Sequence, residues 1–122
     1  MERYLKHSHC VVLTTVPSNK VAQTVAKCLL GKKLCACVNI VPNVVSVFMW
    51  KNKMEHAKEL LLMIKTRCVL FKPLCRELKK LHPYTVPELI MLPITAGDSP
   101  YLRWIDSVTV KNLNKKSSSK AK

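Results

Sequence analysis

Cys35-Ala36-Cys37-Val38-Asn39-Ile40-Val41 resumes after Pro42-Asn43 as Val44-Val45-Ser46-Val47-Phe48-Met49-Trp50. Across a polar break at Lys51-Asn52-Lys53, the chain returns toward Glu59-Leu60-Leu61-Leu62-Met63-Ile64-Lys65-Thr66. β-Branched and aromatic residues dominate the first run, which favours strand over helix. Asn52 suits the break, because asparagine tolerates the positive φ that a tight turn demands. The stretch therefore predicts one long hairpin from Cys35 to Thr66.

A sheet covered on one face alternates apolar and polar residues. Here Val44, Val45, Val47, Phe48, Met49 and Trp50 are apolar on both parities, and so are Leu60 to Ile64. Both faces of the sheet, or one face and an edge, must then leave water. In a chain of 122 residues, helices can cover one face. The second cover is expected from another copy of the chain, since large exposed apolar patches mark interaction surfaces and identical subunits are the commonest partners.

Outward from the hairpin, His9 to Val16 reads as a first strand, ended by Pro17. Ser18 is placed to N-cap a helix through its hydroxyl. Val21, Val25, Cys28 and Leu29 recur on one stripe of that helix, and Gly31 suits its exit. A second helix spans about Val69 to Leu81, with Leu70, Leu74, Leu78 and Leu81 on its apolar face. Pro73 is tolerated only in a first turn, so this helix must begin near Leu70. Pro83 pushes His82 out of the helical region. Glu88 to Pro93 predicts a fourth strand, and Ser99-Pro100 starts a last helix carrying Leu102, Trp104, Ile105 and Val108. The order βαββαβ plus a terminal helix is the ferredoxin-like arrangement, an α+β sandwich with two helices on one sheet face. Residues 9–110 are expected to form this domain, with 1–8 an N-terminal extension and 111–122 a basic, disordered tail.

Composition narrows the function. The first residues contain no apolar leader, and no apolar run reaches the roughly 18–20 residues of a membrane span. A cytoplasmic protein is expected, with its six cysteines reduced and acting as small hydrophobes. Cys28 and Cys75 are placed in the core. Two glycines leave no room for a glycine-rich phosphate cradle. Net charge is +14, of which five lysines in residues 111–122 supply part, leaving +9 on the rest. Such a surface attracts acidic proteins or other polyanions and opposes accumulation of free divalent cations. No groove-reading motif accompanies it, so no specific nucleic-acid role is expected.

No nucleophile, base and orienting group can be named together, so no enzymatic activity is expected. Three groups of residues have the donor types for copper or zinc. His7-x-His9-Cys10 offers two imidazoles and a thiol, against the ordinary reading of a solvated terminus. Cys35-x-Cys37 would point two thiols the same way in a strand, against ordinary core packing. His82 stands near Tyr84 and Glu88, against the reading of a hydrogen-bonded loop-end histidine.

Five motifs, in order, carry a resemblance. They are Lys33-Leu34-Cys35-Ala36-Cys37-Val38-Asn39, Trp50-Lys51-Asn52-Lys53, Met63-Ile64-Lys65-Thr66, His82-Pro83-Tyr84-Thr85-Val86-Pro87-Glu88-Leu89 and Gly97-Asp98-Ser99-Pro100-Tyr101-Leu102-Arg103-Trp104. Together they resemble the CutA family of divalent-cation tolerance proteins, in its animal form, over about Cys10 to Val108. The resemblance implies a homotrimer similar in fold to the PII signalling proteins, in which three long hairpins join their sheets. It implies copper binding in bacterial members, and in animal members an indirect link to acetylcholinesterase anchoring at membranes. The copper ligands it implies are a Cys late in the first strand and a His-His pair before Pro-Tyr. Thr14 and Leu81-His82 occupy those positions here, so only His82 is retained; Cys35 is a candidate replacement thiol.

The sequence thus predicts a non-enzymatic homotrimer tied to the metal-ion response, with a weakened copper site at His82. Its candidate inter-subunit cleft is formed by Trp50, Tyr84 and Glu88. The alternatives are a scaffold whose basic surfaces take acidic protein partners and a PII-like sensor of small ligands.

Overall fold

Residues 9–111 are described by a computed structural model; the expectations for 1–8 and 112–122, including His7, lie outside them. The hairpin forms from β2 (Cys37–Trp50) and β3 (Lys53–Arg67), paired antiparallel from Cys37↔Lys65 to Trp50↔Lys53. Its turn is the two residues Lys51 and Asn52, both with positive φ (52° and 66°), the mirror-image turn that matches strand twist. Pro42 and Asn43 make an irregularity between Val41 and Val44. Asn43 takes a left-handed φ of 62° there, and proline's missing N–H is harmless on an edge strand.

β1 (His9–Val16) pairs antiparallel with β3, and β4 (Ile90–Ile94) pairs antiparallel with β1. The sheet order is β2-β3-β1-β4, the ferredoxin-like α+β topology that the element order predicts. β4 starts two residues later than expected, at Ile90. Along β1 every second residue is buried: Cys10, Val12, Thr14 and Val16 face a core built with Val25 and Leu29 of α1 (Asn19–Gly31) and Leu74 and Leu78 of α2 (Phe71–Leu81). At about 1.5–3 kcal/mol per fully buried aliphatic side chain, this layer supplies most of the driving force within one chain.

Three local expectations need correction. In α1 the buried stripe is Ala22, Val25, Ala26 and Leu29, with Val21 and Cys28 on its flanks. Cys28 and Cys75 are half-buried, whereas Cys10, Cys35 and Cys68 are buried. The exit of α1 does not use Gly31. The amide of Leu34 reaches the Leu29 carbonyl and that of Lys33 the Leu30 carbonyl, and Lys33 itself takes the left-handed φ of 58°. That is a Schellman closure with lysine where glycine is usual.

Before α2, Cys68–Leu70 forms a 3-10 turn, and no side chain caps the helix. α3 (Ser99–Val108) starts at Ser99-Pro100 as expected, with Asp98 at its cap position. The Asp98 carbonyl accepts the amides of Tyr101 and Leu102, while the Ser99 hydroxyl accepts from Arg103. α3 closes against the end of β3, where Arg67 donates to the Thr109 hydroxyl and the Val110 carbonyl.

The sheet face opposite α1 and α2 stays partly open. Ile90 and Leu92 of β4 are about half exposed. Beyond the last β1–β3 pair, Val16↔Leu60, residues 53–59 of β3 run on with only β2 beside them. At about 3.3 Å per residue they carry the hairpin about 23 Å past the sheet. Its side chains are bare on both faces: Val45 65%, Val47 56% and Met49 63% on one, Phe48 42% and Trp50 45% on the other.

Candidate functional site

Strand parity builds one wall of the site. Val44 pairs with Glu59 and Phe48 with Glu55, so Ser46, Phe48, Trp50, Glu55 and Glu59 share a face of the hairpin. The segment after α2 supplies the opposite wall. Between them lies an open cavity of about 840 Å³, lined by Trp50, Tyr84 and Glu88 together with Thr15, Phe48, Glu55, His56, Glu59 and Val86. The three cleft residues singled out in the sequence therefore meet within one chain. Glu55, His56 and Glu59 join them in the lining, and no sequence motif marks these three as site residues. The signal for Glu59 was present, since it is an acid abutting the apolar run Leu60–Ile64.

Glu59 is only 6% exposed. Its carboxylate accepts a hydrogen bond from the Tyr84 hydroxyl at 2.5 Å. The Tyr84 ring is partly exposed, but its hydroxyl end is turned against this carboxylate. Burial, and then the neighbouring carboxylate, push the phenol up from 10.0 to about 12. The phenol is thus held as a donor, in the form that keeps Glu59 satisfied.

His82 stands behind this wall and lies outside the cavity. It is buried, and Nε2 donates to the Thr15 carbonyl at 2.7 Å while Nδ1 accepts from the Tyr84 amide at 3.2 Å. This pairing fixes the Nε2–H tautomer. The imidazole also packs on the Tyr84 ring, centroids 4.7 Å apart. Both ring nitrogens are engaged, so a metal could take His82 only by displacing the Thr15 or the Tyr84 contact. The geometry makes His82 the post that fixes the Tyr84 loop to the end of β1.

The other metal candidates are dispersed. Thr14 faces the helices, and its buried hydroxyl has no hydrogen-bond partner. Cys35 is buried, and its thiol is pushed up to about 12 by burial and then by Cys37, which opposes the thiolate a metal needs. It sits where Ala36 bonds the Lys65 carbonyl. Lys65 pairs with Val11, four residues along β1 from Thr15, or about 13 Å from the His82 contact. Cys35 and His82 thus cannot share an ion. His9 and Cys10 point to opposite sheet faces, and His9 Nε2 lies 2.8 Å from Asp106. Cys35 lies before β2 and Cys37 begins it, so the strand alternation that would align the two thiols does not extend to Cys35; Cys35 is buried and Cys37 half-buried. Among the described residues, no group of three His, Cys, Asp or Glu side chains is placed to hold a metal ion.

Comparison with known proteins places the fold in a family. The CutA1 divalent ion tolerance protein family matches residues 10–108. The chain is 50% identical over 95 residues to the divalent-cation tolerance protein CutA of Thermus thermophilus, covering 78% of this chain and 92% of that one. It is 41% identical over 106 residues to protein CutA of Mus musculus, covering 87% of this chain but only 60% of the mouse protein. The solved structure of the Thermus thermophilus divalent cation tolerance protein superposes with a TM-score of 0.82 at 47% identity, over 84% of this chain and 99% of that one. The likeness is thus shared by bacterial and animal relatives, and is not confined to the animal form. Sequence motifs, sheet order and superposition converge, and the chain belongs to the CutA1 divalent ion tolerance family.

Proposed function

We propose that the protein acts as a non-enzymatic homotrimer in the cytoplasm, serving tolerance to divalent metal ions, with a copper site that is weak or lost. The observation that supports it is the hairpin: a strand pair reaching about 23 Å beyond its own sheet with Val45, Val47, Met49, Phe48 and Trp50 exposed on its two faces. Apolar strands bare on both sides need cover that one copy cannot give. The Thermus thermophilus relative is a divalent-cation tolerance protein, and the trimer is the assembly in which three hairpins would shelter one another. Weak copper binding follows from the engaged nitrogens of His82 and the chain's net charge of +14. A reducing compartment suits six unpaired cysteines.

Two measurements test this reading. Sedimentation of the full chain at low micromolar concentration should give a trimer; a well-folded single subunit would end the proposal. Titration with Cu(I) and Cu(II), beside His82→Ala, should show no tight stoichiometric binding in either protein. Submicromolar binding lost in the variant would show instead that the metal site is intact.

A further inference from the structure

The helix-covered side of the molecule carries a feature that neither the hairpin nor the cavity explains. Lys72, Arg76 and Lys79 of α2 recur at i, i+4 and i+7, so they form one stripe. All three are exposed, and none is in an ion pair among the described residues. The single acid of α2, Glu77, is taken up on the other flank by Lys32 at 3.0 Å and Lys80 at 3.3 Å. The stripe borders a groove of about 590 Å³ with no acid in its lining, floored by Phe71, Pro87 and Leu89. These floor residues are only partly buried.

The start of α2 adds to the field. It has no acid in its first turn and no capping side chain, and Lys72 stands there against the positive end of the helix dipole. Bringing carboxylates to this stripe would relieve an unfavourable arrangement as well as pair three free cations.

We propose that this groove docks an acidic segment of a partner protein, with one apolar side chain seated on Phe71, Pro87 and Leu89. Lys72 to Lys79 spans about 10 Å of helix, which an extended segment covers in about three residues. Acids on such a segment can meet all three cations while an apolar residue between them enters the groove. A free inorganic anion would engage the cations and leave the floor wet. A bilayer is flat and would not fill a concavity. Nucleic acid would find a single half-buried ring, Phe71, to stack on. No residue of the hairpin lines this groove, so the proposal does not depend on the trimer; in a trimer it would be repeated three times and gain avidity.

The test uses the full chain and a labelled peptide of Glu and Asp residues with one central Leu. Binding should weaken roughly tenfold or more in Arg76→Glu, as for a reversed charge at a paired interface. It should weaken roughly several-fold when the peptide's Leu becomes Ser, as for loss of an apolar anchor. Lys27→Glu on α1, an equal charge change elsewhere, should leave it nearly unchanged. Equal losses in Arg76→Glu and Lys27→Glu would mean diffuse attraction and overturn the site. So would indifference to the Leu→Ser change, or tighter Arg76-dependent binding of single-stranded DNA or phosphatidylserine vesicles. Both positions are exposed, and an unchanged melting temperature in each variant keeps folding out of the comparison.

Discussion

Tyr84 and Glu59 make the clearest residue-scale test of the cavity wall. The phenol's folded value, about 12, lies above its ordinary 10.0. The group whose folded pKa is raised contributes stability that is whole below pH about 10 and is lost as pH rises through about 12. Ultraviolet titration of the native protein should therefore show one tyrosine ionising late. In Glu59→Gln that late phenol should titrate earlier, because the carboxylate that opposes the phenolate is gone. An unchanged titration in the variant would mean that Glu59 does not govern the phenol. Thr14 offers the opposite case, a buried hydroxyl with nothing to bond. An unsatisfied buried polar group costs about 1–3 kcal/mol. Thr14→Val keeps the shape and removes the hydroxyl, so denaturant unfolding should show a gain of about 1 kcal/mol with an unchanged slope.

At the scale of elements, the exit of α1 is strained at a single residue. Lys33 is left-handed at φ 58°, which costs an ordinary L-residue about 1–2 kcal/mol. Glycine there relieves the strain but loses more entropy on folding. Lys33→Gly should thus raise stability by about 0.5–1 kcal/mol, measured by thermal or urea unfolding; a loss would show that the lysine side chain matters more than its backbone. The carbonyl of Lys33, which accepts the Val110 amide, is unaffected by the change. The sequence misled at this helix end because Gly31, two residues earlier, has the composition of an exit and none of its geometry. Local rules sufficed elsewhere. Ser18 caps α1 through its hydroxyl, which accepts from the Val21 amide; Pro73 sets the start of α2; Asn52 turns the hairpin. What stayed illegible depends on contacts distant in sequence. Glu59 reads as a polar end to an apolar run, and only Tyr84, 25 residues on, makes it buried and satisfied. His82 was legible as a loop-end histidine or a ligand, and its two partners, Thr15 and Tyr84, come from opposite directions in the chain. Trp50, Tyr84 and Glu88 are grouped as a cleft through the motifs that carry the family resemblance, whereas the acidic wall of the cavity within one chain depends on strand register.

For the whole molecule, the decisive question is what covers the hairpin. Within one chain, Val47 is 56% exposed and stands opposite His56, well beyond the last residue of β1. A charge placed there should cost a lone subunit little, since exposed substitutions away from special features usually fall within about 0.5 kcal/mol. In the proposed trimer the same site would be buried. Each copy would then lose about 1.5–3 kcal/mol of apolar burial and add a carboxylate that must stay unpaired or protonated in an apolar contact. Val47→Glu should therefore convert a sedimenting trimer into single subunits, and the melting temperature should fall and become dependent on protein concentration. His56→Glu adds a charge at the cross-strand neighbour, which is already polar, and should weaken assembly to a smaller degree. If Val47→Glu remains a trimer of unchanged melting temperature, the bare hairpin faces are not the contact, and the open sheet face at Ile90 and Leu92 becomes the surface through which copies meet.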